Sequence, residues 1–251
     1  MIVINDKAIV VGFEPIEWEK FPNLVVVGCN ATSTEHIDEE CAKRGVKVIS
    51  LKGETKFLNS ITSTAEHTIG LIIALLRNYK TALNAPYKDR EEYKGHTLYG
   101  KTVTLFGGNG RVGSQVSNRL KAFGMTVYRV DENEIPQFTL KSYVVSLHIP
   151  LQGNEGFFTK RMFREMLPNS YFINTSRSGV VEEGALLFAL SNNIIAGAAV
   201  DFIDDPQLLE YAKTHNNLLL TNHQGGNTFE DRKRTEDFII NKVTEFLNGN
   251  I

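Results

Sequence analysis

The sequence predicts an α/β protein in which two parallel sheets are each covered by helices on both faces. Three observations predict it. Nine short apolar runs alternate with helical stretches from end to end, and unbroken apolar strands are the mark of parallel sheets buried on both faces. One stretch, 101 to 132, reads as strand, glycine-rich turn, helix, strand and acid. A long apolar helical signal followed by Pro86 and a charged segment, 88 to 94, interrupts the pattern and divides it.

The runs, in order, are Ala8–Val11, Leu24–Val27, Val46–Ser50, Val103–Phe106, Thr126–Val130, Tyr143–Leu147, Tyr171–Asn174, Ala196–Val200 and Leu218–Thr221. Between the third and fourth lies a helix expected from Ser63 to about Leu83. It is apolar on nearly every side around Ile69, Leu71, Ile72, Leu75 and Leu76, so it should be buried. The last stretch, Glu230 to Leu247, has Phe238, Ile239, Val243, Phe246 and Leu247 at helical spacing and stops at Asn248-Gly249. A first domain is expected over 1–84, completed by the C-terminal helix 228–251, with a second over 85–227.

In Gly108-Asn109-Gly110-Arg111-Val112-Gly113 the glycines let backbone amides close on phosphates and let the helix pack on its strand. The helix N-terminus adds unpaired N–H groups and a partial positive charge. Val112, Val116, Leu120 and Phe123 share one face, and Gly124 follows as a C-cap. Asp131 ends the next strand at the distance suited to ribose hydroxyls, which favours NAD over NADP. This is the Rossmann-type dinucleotide unit.

At 251 residues the chain can bury one large core or two modest ones. A formal net charge of -2 gives no field for a polyanion, so no nucleic-acid partner is expected. The longest apolar run, Ile69 to Leu76, is too short to span a bilayer, and the start lacks a basic leader. The two cysteines, Cys29 and Cys41, form no disulfide framework, which fits a cytoplasmic location. No metal-ligand spacing stands out.

Three polar clusters fall at the C-terminal ends of expected strands, where open α/β sheets bind their ligands. They are Asn174-Thr175-Ser176-Arg177-Ser178-Gly179, Asp201 with Asp204-Asp205-Pro206, and Thr221-Asn222-His223-Gln224-Gly225-Gly226. An arginine grips a carboxylate and an adjacent carbonyl through its planar fork. A histidine exchanges a proton near neutrality, the more so when a carboxylate orients it. Beside a nicotinamide ring these parts suffice for hydride and proton transfer at a 2-hydroxy or 2-oxo acid.

With these motifs the chain resembles the D-isomer-specific 2-hydroxyacid dehydrogenases. The resemblance is carried by HIDEECAKRGVKVISL at 36 to 51, STAEHTIGLIIALLRN at 63 to 78, the glycine-rich unit and VSLHIPL at 145 to 151. It continues through INTSRSGVVEEGAL at 173 to 186, GAAVDF at 197 to 202 and TNHQGG at 221 to 226. It implies an NAD domain, a smaller flavodoxin-like α/β substrate domain, a cleft between them and a homodimer built on the NAD domains. By position Arg177 matches the family's substrate-binding arginine and His223 its acid/base. Asp201 matches an aspartate near the nicotinamide. Thr68, Gly108, Gly110, Arg111, Val112, Gly113, Asp131, Thr175, Ser176, Gly225 and Gly226 match cofactor contacts, and His148 with Ile149 a loop that covers the cofactor. Backbone amides of Asn30, Ala31, Thr32 and Ser33 match the loop that holds the substrate carboxylate.

Three departures follow from the same comparison. The family's catalytic carboxylate is a glutamate before a proline, five residues after the aspartate. Here the proline follows Asp205, at only four, so Asp205 is the expected partner of His223, with Asp204 in reserve. The glycine-rich turn is one residue longer, counting from Lys101. The start is shorter by roughly one and a half β-α units, so a clipped substrate domain is expected, its sheet exposing an edge at Lys7 to Val11 unless a partner or the C-terminal helix covers it. Two readings result: an NAD-dependent oxidoreductase acting on a small 2-hydroxy or 2-oxo acid, or a catalytically reduced NAD-binding regulatory or assembly module.

Overall fold

The computed structural model describes residues 1–85, 91, 93–131 and 137–249. Pro86, most of the charged segment after it, and Glu132 lie outside them. The chain folds as two compact units: 1–61 with 227–251, and 62–226.

The smaller unit is a four-stranded sheet in the order β1 (Ile2–Asn5), β2 (Ala8–Val11), β3 (Val26–Cys29), β4 (Lys47–Ser50). Strands β2, β3 and β4 are parallel. Side chains alternate between faces. Ile9, Val11, Val27 and Cys29 pack under α1 (Glu35–Lys43) with Ile37 and Cys41. Ala8, Val10 and Val26 pack on the other face with Leu58 of α2 (Thr55–Leu58) and with Ile239 and Val243 of α9 (Phe229–Leu247). Thr228 caps α9 by accepting the Asp231 N–H. Burial pushes both Cys29 and Cys41 thiols up to about 11, so they serve as small apolar residues.

What covers the edge at β2 is neither a partner nor the C-terminal helix but a further strand. Strand β1 pairs antiparallel with β2, Ile2 opposite Val10 and Val3 opposite Ile9. Strand β1 is no continuous apolar run: only Ile2 and Ile4 face the core, while Val3 is exposed.

The larger unit is a six-stranded parallel sheet in the order β10-β9-β8-β7-β5-β6. Its strands are β5 (Thr102–Phe106), β6 (Thr126–Val130), β7 (Val144–Leu147), β8 (Tyr171–Asn174), β9 (Gly197–Val200) and β10 (Leu218–Leu220). Strand order reverses between β5 and β7, the switch point at which such sheets bind ligands. Helix α3 (Ser63–Leu76) and α5 (Arg111–Ala122) cover one face, with Ile72, Leu76, Val116 and Leu120 against Val103, Leu105, Val144 and Ile173. Helices α6 (Lys160–Glu165), α7 (Ala185–Ser191) and α8 (Pro206–Thr214) cover the other, around Phe158, Phe163 and Phe172.

The apolar helix therefore groups with the larger unit, and the division falls at 61/62 rather than at 84/85. Each of Ile72, Leu75 and Leu76 buried on this sheet contributes roughly 1.5–3 kcal/mol, which fixes α3 there. The helix also stops earlier than expected. Asn78 takes a left-handed φ of 54° and a short α4 (Tyr79–Ala82) follows.

Candidate active site

Every expected site residue of the larger unit except Thr68 lies at the C-terminal end of a strand of this one sheet. At β5 the turn begins with Gly107, which the sequence reading left out of the site. It adopts a φ of 74°, and a Cβ there would overlap the His148 carbonyl oxygen. Its N–H donates to the Val130 carbonyl at 2.8 Å. A Cβ on Gly113 would overlap the Gly107 carbonyl oxygen, so the first turn of α5 can sit against the end of β5 only with glycine at 113. Gly107 thus joins Gly108, Gly110 and Gly113 in the turn, as the first glycine of the doubled pair after Phe106. Gly110 is the N-cap of α5, with no side chain capping that end. A cradle closed to side chains and an uncapped helix N-terminus together fit a pyrophosphate. Val112, behind Gly110, packs into the core under the sheet.

Asp131 follows β6, and its carboxylate accepts from the Asn109 side chain, while Arg129 Nη1 donates to Asn109 Oδ1 at 3.2 Å. The turn is thereby tied to the acid expected to meet the ribose. After β7, the His148 N–H donates to the Phe106 carbonyl at 2.8 Å, which sets His148 and Ile149 beside the turn. Burial pushes the His148 imidazole down to about 4, so it is neutral, with Nε2 3.0 Å from Ser146 Oγ.

After β8, Asn174 shapes the arginine turn. Its Oδ1 accepts from the Ser176 N–H at 2.9 Å and the Ser176 hydroxyl at 2.7 Å, and its Nδ2 donates to the Arg177 carbonyl at 2.8 Å. Thr175 and Thr68 meet through their hydroxyl oxygens at 2.8 Å, both buried, which brings α3 to this strand end. Arg177 Nη1 donates to the Ser176 carbonyl at 2.9 Å.

The aspartates behave differently from expectation. Asp205 is the N-cap of α8: its Oδ1 accepts the Gln207 N–H at 2.8 Å and the Leu208 N–H at 3.3 Å, with Pro206 at the first helical position. Asp204 Oδ2 accepts the Ser178 hydroxyl at 2.8 Å. Both carboxylates are committed to local structure because the short loop enters α8 directly. A cavity of about 460 Å³ opens there, lined by Ser178, Glu182, Phe202, Asp204, Asp205 and Leu208. Neither Arg177 nor His223 is among its lining residues.

Asp201, at 2% exposure, is the hub instead. Its Oδ1 accepts from the Thr221 hydroxyl at 2.6 Å, the Gln224 N–H at 2.8 Å and His67 Nε2 at 3.1 Å. Its Oδ2 accepts the Gly225 N–H at 2.8 Å, and its carbonyl takes the His223 N–H at 2.6 Å. Four donors fill the roughly four lone-pair sites of a carboxylate, which leaves little for the nicotinamide contact expected of it. Burial alone would raise Asp201, but these hydrogen bonds, that of His67 largest among them, bring it down to about 2.

His223 is held by this hub at a left-handed φ of 52°. Its ring meets Phe202 edge-on at 4.9 Å. Partial burial pushes the imidazole below its ordinary value, the Arg177 guanidinium pushes the same way, and the Asp201 carboxylate opposes them. Arg177 and His223 are thus electrostatic neighbours. Gly226 closes the turn in open space.

In the smaller unit, the Asn30 N–H donates to the Val11 carbonyl at 2.8 Å and the Leu51 N–H to the Ala31 carbonyl at 3.1 Å. These bonds pin the loop, and the N–H groups of Ala31, Thr32 and Ser33 meet no backbone carbonyl among the described residues. Asn30 Oδ1 is buried with no donor among the described residues. Among the described residues no cluster of His, Cys, Asp or Glu could hold a metal ion, and no helix is long and apolar enough to cross a membrane.

Comparison with known proteins matches residues 69–225 to the family model described as D-isomer specific 2-hydroxyacid dehydrogenase, NAD binding domain. A D-3-phosphoglycerate dehydrogenase of Bacillus subtilis is 31% identical over 253 residues, covering 92% of this chain and 47% of that protein. A glyoxylate reductase of Thermococcus litoralis is 28% identical, covering 93% of this chain and 77% of the other. A crystal structure of D-lactate dehydrogenase from Aquifex aeolicus with NAD and lactic acid superposes with a TM-score of 0.74 at 25% identity, over 97% of this chain and 84% of that one. The chain spans about half the length of the phosphoglycerate dehydrogenases it matches.

Proposed function

Because the chain belongs to the D-isomer specific 2-hydroxyacid dehydrogenase family, we propose that it interconverts a small D-2-hydroxy acid and its 2-oxo acid. The cofactor is NAD. When bound, NAD supplies the hydride chemistry, accepting hydride from C2 of the hydroxy acid or returning it to the 2-oxo carbon. Gly107, Gly108, Gly110 and Gly113, with the start of α5 at Arg111 and Val112, would hold its pyrophosphate, and Asp131 its ribose. Thr68, Thr175, Ser176, His148 and Ile149 would line the same face.

The observation that supports the reading is that Arg177 and His223 both follow strands, β8 and β10, at the C-terminal edge of the dinucleotide sheet, with burial and then the guanidinium lowering the imidazole. Arg177 grips the substrate carboxylate and its neighbouring oxygen. His223 takes the hydroxyl proton in oxidation and returns it to the developing alkoxide in reduction. No step is assigned to Asp205. A homodimer joined through the larger unit, in the cytoplasm, is the proposed setting.

The test is NADH oxidation with glyoxylate, hydroxypyruvate, 2-oxoglutarate and pyruvate, followed by His223→Ala. Turnover of at least one acid, lowered about a hundredfold or more by the alanine, is expected. The reading fails if no 2-oxo acid is reduced or if the alanine variant turns over as well as its parent. NADH binding without turnover would favour the regulatory module.

A further inference from the structure

We propose that His67, acting through Asp201 and Thr221, is a positioning residue that holds the turn presenting His223. The role of His223 as acid/base rests on the dehydrogenase reading, whereas the geometry of the clamp does not.

His67 lies in the second turn of α3, one residue before Thr68, and its Nε2 is 3.1 Å from both Asp201 Oδ1 and Thr221 Oγ. The Thr221 hydroxyl donates its only proton to Asp201 Oδ1 at 2.6 Å. Towards His67 that hydroxyl can therefore only accept, and so can the carboxylate. Nε2 must carry the hydrogen and share it between the two oxygens, which fixes the tautomer of His67.

The clamp reaches His223 by short steps. A non-glycine residue stays in the left-handed region only where its surroundings hold it, and at His223 the holding groups are those of Asp201. The Asp201 carbonyl takes the His223 N–H, and the carboxylate takes the next two N–H groups, of Gln224 and Gly225. His67 joins this carboxylate to a helix whose Ile72, Leu75 and Leu76 are buried on the sheet. Without it, Asp201 Oδ1 loses one of three donors, and the Thr221 hydroxyl loses one of its two partners. The turn is then tied to Asp201 alone, and the imidazole can drift by the fraction of an ångström that proton transfer does not tolerate.

The experiment compares His67→Leu with His67→Gln in the full chain, using the 2-oxo acid the parent reduces. The leucine variant is expected to lower kcat about tenfold or more, with KM for NADH changed less than about threefold. It should also shift the His223 amide and ring resonances, assigned with His223→Gln. Glutamine, whose amide N–H can reach the same oxygens, should recover most of the rate. Where the leucine variant does not fold by circular dichroism, His67→Asn, too short to reach Asp201, replaces it. Unmoved His223 resonances in a folded variant, or equal loss in the leucine and glutamine variants, would overturn the proposal. If the parent reduces no 2-oxo acid, the dehydrogenase reading fails and the resonance comparison still decides the clamp.

Discussion

Replacing Asp205 separates a helix cap from a catalytic carboxylate. Its Oδ1 accepts two N–H groups of the first turn of α8, at 2.8 and 3.3 Å, and loss of such a cap costs about 1 kcal/mol. For a chain of this size that is a fall in Tm of about 2–4 °C. Asp205→Ala should show that fall, while Asp205→Ser and Asp205→Asn, which still offer an acceptor to the helix, should stay within about 1 °C. All three should keep kcat for 2-oxo acid reduction within about threefold if, as proposed, the proton chemistry does not pass through this carboxylate. A carboxylate that oriented His223 would behave in the opposite way, since asparagine keeps the cap and removes the charge. Thermal denaturation followed by circular dichroism, run beside NADH oxidation, reads both quantities on the same preparations. An asparagine variant with parental Tm and a loss of a hundredfold or more in kcat would refute the assignment.

Two further outcomes follow from the site. Gly113→Ala puts a methyl group into the Gly107 carbonyl and must push α5 off the end of β5. The cost is of the order of 1–3 kcal/mol, and the NADH Kd from fluorescence titration should rise tenfold or more, so an unchanged Kd would show that the turn does not cradle the pyrophosphate. His223 has a pKa below the ordinary 6.5, and reduction needs its protonated form. The kcat/KM for reduction should therefore fall as pH rises through a value below 6.5, while that for oxidation rises through the same value to a plateau, and a shared midpoint above 7 would contradict the assignment.

What was legible in the sequence was what period and glycine spacing encode. The runs at Thr126–Val130 and Tyr171–Asn174 match β6 and β8 residue for residue: β8 is buried along its whole length, whereas β6 is an edge strand with only Val130 buried, legible through its β-branched and aromatic residues after Gly124. The run at Leu24–Val27 began two residues early, because Leu24 is buried without joining the ladder. The break at Asn78 was hidden inside a continuous helical pattern, as asparagine also tolerates the left-handed region that ends a helix. At the site, strand ends located Arg177, Asp201 and His223, but not which acceptor each donor finds. Asp205 before Pro206 reads equally well as a catalytic acid and as an N-cap, and only the entry of the loop into α8 decides between them. His67 carried no signal, since a histidine on a mostly apolar helix gains its meaning only from Asp201 and Thr221, more than a hundred residues away.

With Asp205 committed to α8, the proton affinity of His223 is set by a different balance. Burial and Arg177 lower it, and Asp201, whose own carboxylate is already saturated by donors, raises it only through space. In the proposed mechanism a substrate carboxylate on Arg177 changes one side of this balance. The negative charge offsets the guanidinium, so the imidazole binds a proton more tightly with substrate present than without. On that proposal the lowered imidazole favours the neutral form, which would accept the hydroxyl proton in oxidation, while arrival of a 2-oxo acid would favour the imidazolium that reduction needs. A histidine locked in a buried ion pair with a neighbouring carboxylate would be protonated in both states and could not respond in this way. In the proposed mechanism the arginine that positions the substrate would thus couple its arrival to the charge of His223, an arrangement that a cap-committed Asp205 permits.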